Sequence, residues 1–175
     1  MAKYELVMAG TGGQGLVFVA SFLAEAGILA GQNVVQTQTY GISQRGGFIS
    51  AEVLLDEGEI LFQQVTRPSA VLVLSDVVGA RYDELSVPVV YDNSLMKPRA
   101  GANWIGIPCT RIAVEVGAPK AANLVGLGAV VALCPALSLE DLSRAAEKKM
   151  KKEVAVVNIE AIRRGMQAAE AARAR

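Results

Sequence analysis

Gly10, Gly12 and Gly15 lie in the stretch "AGTGGQG" with the spacing G-x-G-x-x-G, and Thr11, Gly13 and Gln14 fill the positions between them. An apolar run enters this cluster and a longer apolar run leaves it, which is the layout of a strand, a turn and a helix. Glycines at this spacing permit a tight turn, let a pyrophosphate approach the backbone and leave the helix N-terminus facing an anion. A dinucleotide site also needs an acidic residue about 20 positions on, to hold a ribose hydroxyl. The region in question reads "VVQTQTYG", and no Asp or Glu stands between Gln32 and Gly47. Thr37, Gln38 and Thr39 offer only neutral hydrogen-bonding groups there. Three readings stay open: a phosphate or coenzyme A contact, a turn packed against another chain, and a dinucleotide site without its usual anchor.

A second constellation follows in "TYGISQRGG", with Tyr40, Gly41, Arg45, Gly46 and Gly47 on a loop leading to the next strand. If the strand before it runs parallel to the first, its carboxyl end brings this loop toward the Gly10–Gly15 turn, the end of an α/β sheet where ligands bind. Arg45 could then pair bidentately with a phosphate or a partner carboxylate, or be an exposed arginine beside a turn. Tyr40 reads as a packing anchor. Asp92-Asn93-Ser94 ends a later strand and suits a turn or helix cap, with ligand contact the alternative.

What is absent narrows the chemistry. The chain has no histidine and two cysteines, Cys109 and Cys134. That set supplies neither a four-ligand zinc site nor an iron–sulfur cluster, and it removes every Ser-His or Cys-His pair. Cys109 reads as a packed small residue and Cys134 as core, so no catalytic residue and no metal ligand is assigned.

The elements that must position these residues follow from periodicity. Tyr4–Ala9 is a buried strand, Gln14–Leu29 a helix apolar around most of its circumference, and Gly31 its left-handed stop. A strand from Asn33 completes a β-α-β unit whose right-handed crossover sets both strands parallel in one sheet. "FISAEVLL" from Phe48, "SAVLVLS" from Ser69, "VPVVYD" from Val87 and "ANWIGIP" around Trp104 are further strands, and Asp56-Glu57-Gly58-Glu59 reads as a solvated hairpin tip. The uncharged run Ala121–Leu139 approaches membrane-span length, but Asn123 and Pro135 cut it to a buried helix of roughly a dozen residues. Gly126 and Gly128 within it predict close approach of another backbone. Ser138-Leu139-Glu140-Asp141 is a capping box stapled by Leu137 and Leu142, opening a helix to about Lys152 whose terminal lysines complement its dipole. A last helix runs from Asn158 into an alanine-rich, fraying tail. The expected architecture is one α/β domain over 1–175: a three-layer, Rossmann-like, mostly parallel sheet flanked by helices, with a helical C-terminal part.

Lys and Arg number 17 against 17 Asp and Glu, so no electrostatic footprint for nucleic acid or an anionic membrane is expected. Apolar residues make up 52% and charged residues only 19%, a surplus that points to buried contact with other subunits. No secretory signal leads the chain, and the expected location is the cytoplasm.

Taken together, "AGTGGQG", "VVQTQTYGISQRGGFISAEVLL" and "AANLVGLGAVVAL" resemble the gamma subunit of 2-oxoacid:ferredoxin oxidoreductases over essentially the whole chain. The pairing of G-G-Q-G after the first strand with Y-G-x-x-x-R-G-G after the second is far more specific than either motif alone. The resemblance implies a subunit, inactive alone, of an enzyme that converts a 2-oxoacid and coenzyme A to acyl-CoA and carbon dioxide while reducing ferredoxin. It places thiamine diphosphate, Mg²⁺ and iron–sulfur clusters on alpha, beta and ferredoxin-like delta partners, and no cofactor on this chain. Gly12, Gly13, Gln14 and Gly15 fall on the family's first turn, and Tyr40, Gly41, Arg45, Gly46 and Gly47 on its second loop. What the resemblance implies for these two segments is service on the coenzyme A side or at the subunit interface. "VQTQTYG" is most like the 2-oxoglutarate branch. A free-standing nucleotide sensor and a purely structural scaffold are the competing readings, and a homodimer is an option for the isolated chain.

Overall fold

The computed structural model describes residues 3–41 and 47–174. Six strands form one sheet in the order β2-β3-β1-β4-β5-β6. They are β1 (Tyr4–Thr11), β2 (Asn33–Tyr40), β3 (Phe48–Asp56), β4 (Ala70–Val73), β5 (Val89–Asp92) and β6 (Trp104–Ile107). β1, β4, β5 and β6 pair in parallel, whereas β3 is antiparallel to both β1 and β2. β1 and β2 therefore share a direction, as the β-α-β reading required, but β3 is inserted between them. The expected α/β sheet is present, mixed rather than purely parallel.

The helices are α1 (Leu16–Leu29), α2 (Asp76–Gly79), α3 (Cys109–Glu115), α4 (Ala122–Leu133), α5 (Leu139–Lys149) and α6 (Lys152–Arg173). The long ones share one core with the sheet face that carries Leu6, Met8, Val53, Leu72 and Val90. The opposite face carries Val7, Ala9, Val71, Val73, Val89 and Tyr91, packed with Val78, Met96 and Trp104. Alternation of side chains along each strand produces these two faces. The second layer is thin, and Arg99 pins it: its guanidinium pairs with Asp76 at 3.3 Å and lies 5.2 Å from the Trp104 ring.

Several expectations shift. Asp56–Glu59 is not a hairpin tip, because the chain leaves β3 to cross to β4 on the far side of β1. Asp56 Oδ1 instead accepts from the Gly58 N–H at 2.8 Å, a side-chain-closed turn. α5 stops at Lys149, and Lys152 begins α6 rather than ending α5. α6 thus starts six residues before Asn158 and stays helical through Arg173, because Ala161, Ile162, Gly165 and Ala169 keep one side buried. Lys148 pairs across to Glu25 on α1 at 2.6 Å, which draws that carboxyl below its usual range. The capping box at Ser138 and Asp141 forms as read.

Gly128 does meet another backbone. A Cβ there would lie 2.1 Å from the Ile162 carbonyl of α6, and a Cβ on Gly165 would lie 2.0 Å from the Val125 carbonyl of α4. Gly126 differs: its neighbour is the Leu72 side chain at 2.6 Å. The two helices therefore lock reciprocally, each presenting a glycine to the other's backbone.

Gly128→Ala and Gly165→Ala should each lose ~2 kcal/mol or more in denaturant unfolding, the clash outweighing alanine's helix preference. Gly126→Ala meets a movable side chain and should cost less. A more stable Gly128→Ala variant would remove this helix contact from the account. Glu5 supplies a pH prediction. Its burial opposes ionisation, but the Lys3 ammonium and the Arg67 and Thr66 N–H groups more than offset this and lower its pKa. The resulting stability is present above the unfolded glutamate value and is lost as pH falls through the lower folded one. Glu5→Gln should therefore destabilise the protein at neutral pH and flatten its acid unfolding curve.

Candidate functional site

β1 ends at Thr11 and α1 begins at Leu16, with Gly15 as its N-cap in the left-handed region (φ 71°, ψ 27°) and Gly13 also at positive φ (92°). These two positions need glycine for backbone reasons. No side chain caps α1. The first-turn N–H groups of a helix without a capping side chain are available to an acceptor from outside it.

The turn itself holds two of the chain's own carboxamides. Gln14 folds back so that Oε1 accepts from the Thr11 N–H at 2.8 Å, while Nε2 donates to the Leu74 carbonyl at 2.6 Å. A Cβ on Gly10 would sit 2.2 Å from Gln14 Oε1. Asn123, 8% exposed on α4, donates from Nδ2 to the carbonyls of Gln14 (3.1 Å) and Gly15 (3.4 Å), and a Cβ on Gly15 would meet that nitrogen at 2.5 Å. The bareness of Gly10 and Gly15 thus admits Gln14 and Asn123. Gly12 has only Ile49 nearby, at 3.9 Å, and nothing lies near Gly13.

A cleft of about 550 Å³ opens beside this turn, lined by Gly13, Gln14, Gly15, Leu74, Asp92, Leu95, Thr110, Pro119, Lys120, Ala122 and Asn123. An apolar groove of about 470 Å³ adjoins it, sharing Pro119, Lys120 and Asn123 and adding Phe18, Ala118, Ala121, Leu124, Val154, Val157 and Asn158. Lys120 is exposed and, among the described residues, forms no ion pair. The polar half therefore offers a cation, a helix N-terminus and amides, and the other half an apolar wall with an aromatic ring.

Asp92 is 2% exposed, and its carboxylate accepts from Thr110 Oγ1 (2.5 Å), the Thr110 N–H (3.2 Å) and the Ser94 N–H (3.0 Å). It fastens the start of α3 to the end of β5, so its part in the cleft wall is structural. Neither thiol is poised for chemistry. Burial, then the Asp92 carboxylate, pushes Cys109 well up, and burial raises Cys134 to about 11. Cys134 lies just past the end of α4 rather than within it. Among the described residues, no group of three or more His, Cys, Asp or Glu could hold a metal ion, and no helix is long and apolar enough to cross a membrane.

The second constellation is only partly in view. Sheet register sets Tyr40 opposite Ile49, and Ile49 opposite Gly10, so the end of β2 lies two strand spacings, roughly 10 Å, from the turn. Tyr40 is 57% exposed rather than a packing anchor, and Gly41 donates its N–H to the Phe48 carbonyl at 2.7 Å. Gly47 directly precedes β3. Arg45 and Gly46 lie outside the described residues. Sequence reasoning missed Lys120, Phe18 and Asn123 as cleft residues. The only hint was an Asn inside an apolar helix pattern, a buried amide that must find a partner.

The glycine–carboxamide fit is testable. Gly10→Ala should be strongly destabilising alone but much less so with Gln14→Ala, a coupling of about 1 kcal/mol or more in a double-mutant cycle. Additive losses would show that Gly10 is needed for something other than Gln14.

Comparison with known proteins fixes the family. Residues 5–168 match the family described as pyruvate ferredoxin/flavodoxin oxidoreductase. The chain is 38% identical over 164 residues to the 2-oxoglutarate synthase subunit KorC of Archaeoglobus fulgidus, covering 91% of this chain and 84% of that one. It is 31% identical to the KorC subunit of Methanocaldococcus jannaschii, covering 96% and 95%. The crystal structure of a keto/oxoacid ferredoxin oxidoreductase gamma subunit from Geobacter sulfurreducens superimposes with a TM-score of 0.85 at 29% identity, covering 98% and 99% of the two chains. A 2-oxoglutarate:ferredoxin oxidoreductase from Magnetococcus marinus contains the same fold within a longer chain, with a TM-score of 0.82 at 22% identity, covering 98% of this chain and 32% of that one. The chain belongs to the 2-oxoacid:ferredoxin oxidoreductase family, as a subunit of the gamma type.

Proposed function

We propose that this chain is the gamma subunit of a 2-oxoglutarate:ferredoxin oxidoreductase, inactive alone, and that its cleft receives coenzyme A. The complex would convert the 2-oxoacid, coenzyme A and oxidised ferredoxin to acyl-CoA, carbon dioxide and reduced ferredoxin. Thiamine diphosphate, Mg²⁺ and the iron–sulfur clusters would sit on alpha, beta and delta partners. The 2-oxoglutarate assignment is supported by the KorC relatives and by the Magnetococcus enzyme, described with 2-oxoglutarate, coenzyme A and succinyl-CoA bound.

One observation carries the coenzyme A reading: the joined cleft has a polar half and an apolar half in continuity at Lys120. Coenzyme A has the same division, a phosphate-bearing nucleotide and a flexible, weakly polar arm. Lys120 Nζ and the first-turn N–H groups of α1 would take phosphate charge, and Phe18, Val154 and Val157 would line the arm. Gly13, exposed and without neighbours, permits close backbone approach. Gly10 and Thr11 act one step back, by seating Gln14. Tyr40, Gly41, Arg45, Gly46 and Gly47 would meet a partner or the nucleotide end, and Gly12 the turn's solvent side. The scaffold reading also has an observation in its favour, since Gln14 and Asn123 already fill the turn.

Affinity purification of the tagged chain from its own cells should bring down larger subunits with coenzyme A-dependent, 2-oxoglutarate-preferring reduction of a low-potential dye. In that complex, Lys120→Ala should raise the KM for coenzyme A about tenfold while the KM for the 2-oxoacid stays put, and Lys120→Arg should restore it. An unchanged coenzyme A KM in an intact complex would leave the scaffold reading. A chain that purifies alone would remove the subunit reading.

A further inference from the structure

β2 is an edge strand of eight residues that pairs only with β3 among the described residues, and most of it is exposed. Long open edges are usually blunted by charge, proline or brevity. β2 reads "NVVQTQTY", with no charged residue and no proline. The sheet's other edge is treated differently: β6 has four residues, and Trp104 and Ile107 are buried.

The hydrogen-bond phase of β2 is fixed by its pairing. Gly41 donates to the Phe48 carbonyl, so in this antiparallel ladder the odd-numbered residues bond to β3. Val34, Gln36, Gln38 and Tyr40 therefore direct their N–H and C=O groups outward.

We propose that a second copy of this chain pairs here, β2 against β2, antiparallel about a two-fold axis through Thr37. In that register Gln36 faces Gln38 of the other copy and Val34 faces Tyr40, so every outward N–H and C=O finds a partner. On the opposite sheet face Thr37 meets Thr37, and Val35 meets Thr39. These are favourable cross-strand combinations with no like charges opposed. Glu52, the nearest charge, lies behind Thr37 on β3 and accepts from its hydroxyl at 3.4 Å. The two Glu52 Cα atoms would stand roughly 15 Å apart and their carboxylates, each drawn toward its Thr37, roughly 10 Å, still beyond a Debye length at physiological salt. The result is one continuous sheet across two chains, a closed, self-complementary contact. The inference does not rest on the coenzyme A reading, and of the two roles open to Tyr40 there it takes the partner contact.

Cysteine scanning of the purified full chain tests it. Cys109 and Cys134 are buried and give a low background. Directly opposed residues of a non-hydrogen-bonded pair lie about 4.5 Å apart between Cα atoms, within disulfide reach. Thr37→Cys should cross-link to a covalent dimer under mild oxidation. Val35→Cys and Thr39→Cys should each cross-link poorly alone and efficiently when mixed. Gln38→Pro removes one outward N–H without touching the β3 ladder, and should raise the dimer dissociation constant about tenfold or more by sedimentation. A monomeric wild-type chain, cross-linking that ignores this register, or an unchanged Gln38→Pro dimer would overturn the proposal.

Discussion

Two carboxamides, Gln14 half-buried and Asn123 buried, hold the middle of this molecule together. Gln14 ties the turn after β1 to the carbonyl that ends β4, and Asn123 ties the same turn to the start of α4. Without the first, the Leu74 carbonyl loses its one side-chain donor among the described residues. Without the second, the N-terminus of α4 drifts from that of α1. The cleft exists because these bonds fix its back wall, and its other residues are placed relative to it. Glycines at 10 and 15 are the steric condition for both amides. The G-x-G-x-x-G spacing is present while the interior of the turn is occupied by protein.

That occupation explains what sequence could and could not disclose. The strand-glycine-helix pattern was legible, as were β3, the twelve-residue α4 and the capping box at Ser138, because each is written in local periodicity or local capping chemistry. The insertion of β3 between β1 and β2 was not. Pairing order depends on which edge a returning strand finds, and no residue of Phe48–Asp56 encodes that by itself. The α3 helix escaped because it has seven residues behind a proline and takes its anchor, Asp92, from a distant strand. The motif glycines were easy to find and easy to misread. Gly10 serves Gln14, four positions away, yet only coordinates reveal that the side chain turns back.

The composition takes on a physical meaning in this fold. Nearly uniform apolarity around α1 and α4 is needed because both are packed on several sides at once, by sheet, helix and each other. Part of the apolar surface that remains, at Phe18, Leu95 and Val154, lines the cleft and its groove, while Ile28, Leu61, Phe62 and Val114 are exposed outside them. Charged residues make up only 19% of the chain. In a family whose relatives are subunits, that distribution is the expected imprint of shared surfaces.

The reciprocal glycine contact between α4 and α6 has a mechanical consequence. Helices whose backbones touch at two points, Gly128 on Ile162 and Gly165 on Val125, cannot slide past one another without unpacking. Asn123 on α4 and Val154 and Val157 on α6 are therefore carried on one rigid body, a wall common to the cleft and the apolar groove beside it. The short connection before α4 is itself closed by backbone bonds, from the Ala118 N–H to the Ala113 carbonyl at 2.9 Å and from the Ala121 N–H to the Ala118 carbonyl at 2.8 Å, so Lys120 is carried on a fixed turn at the foot of that wall.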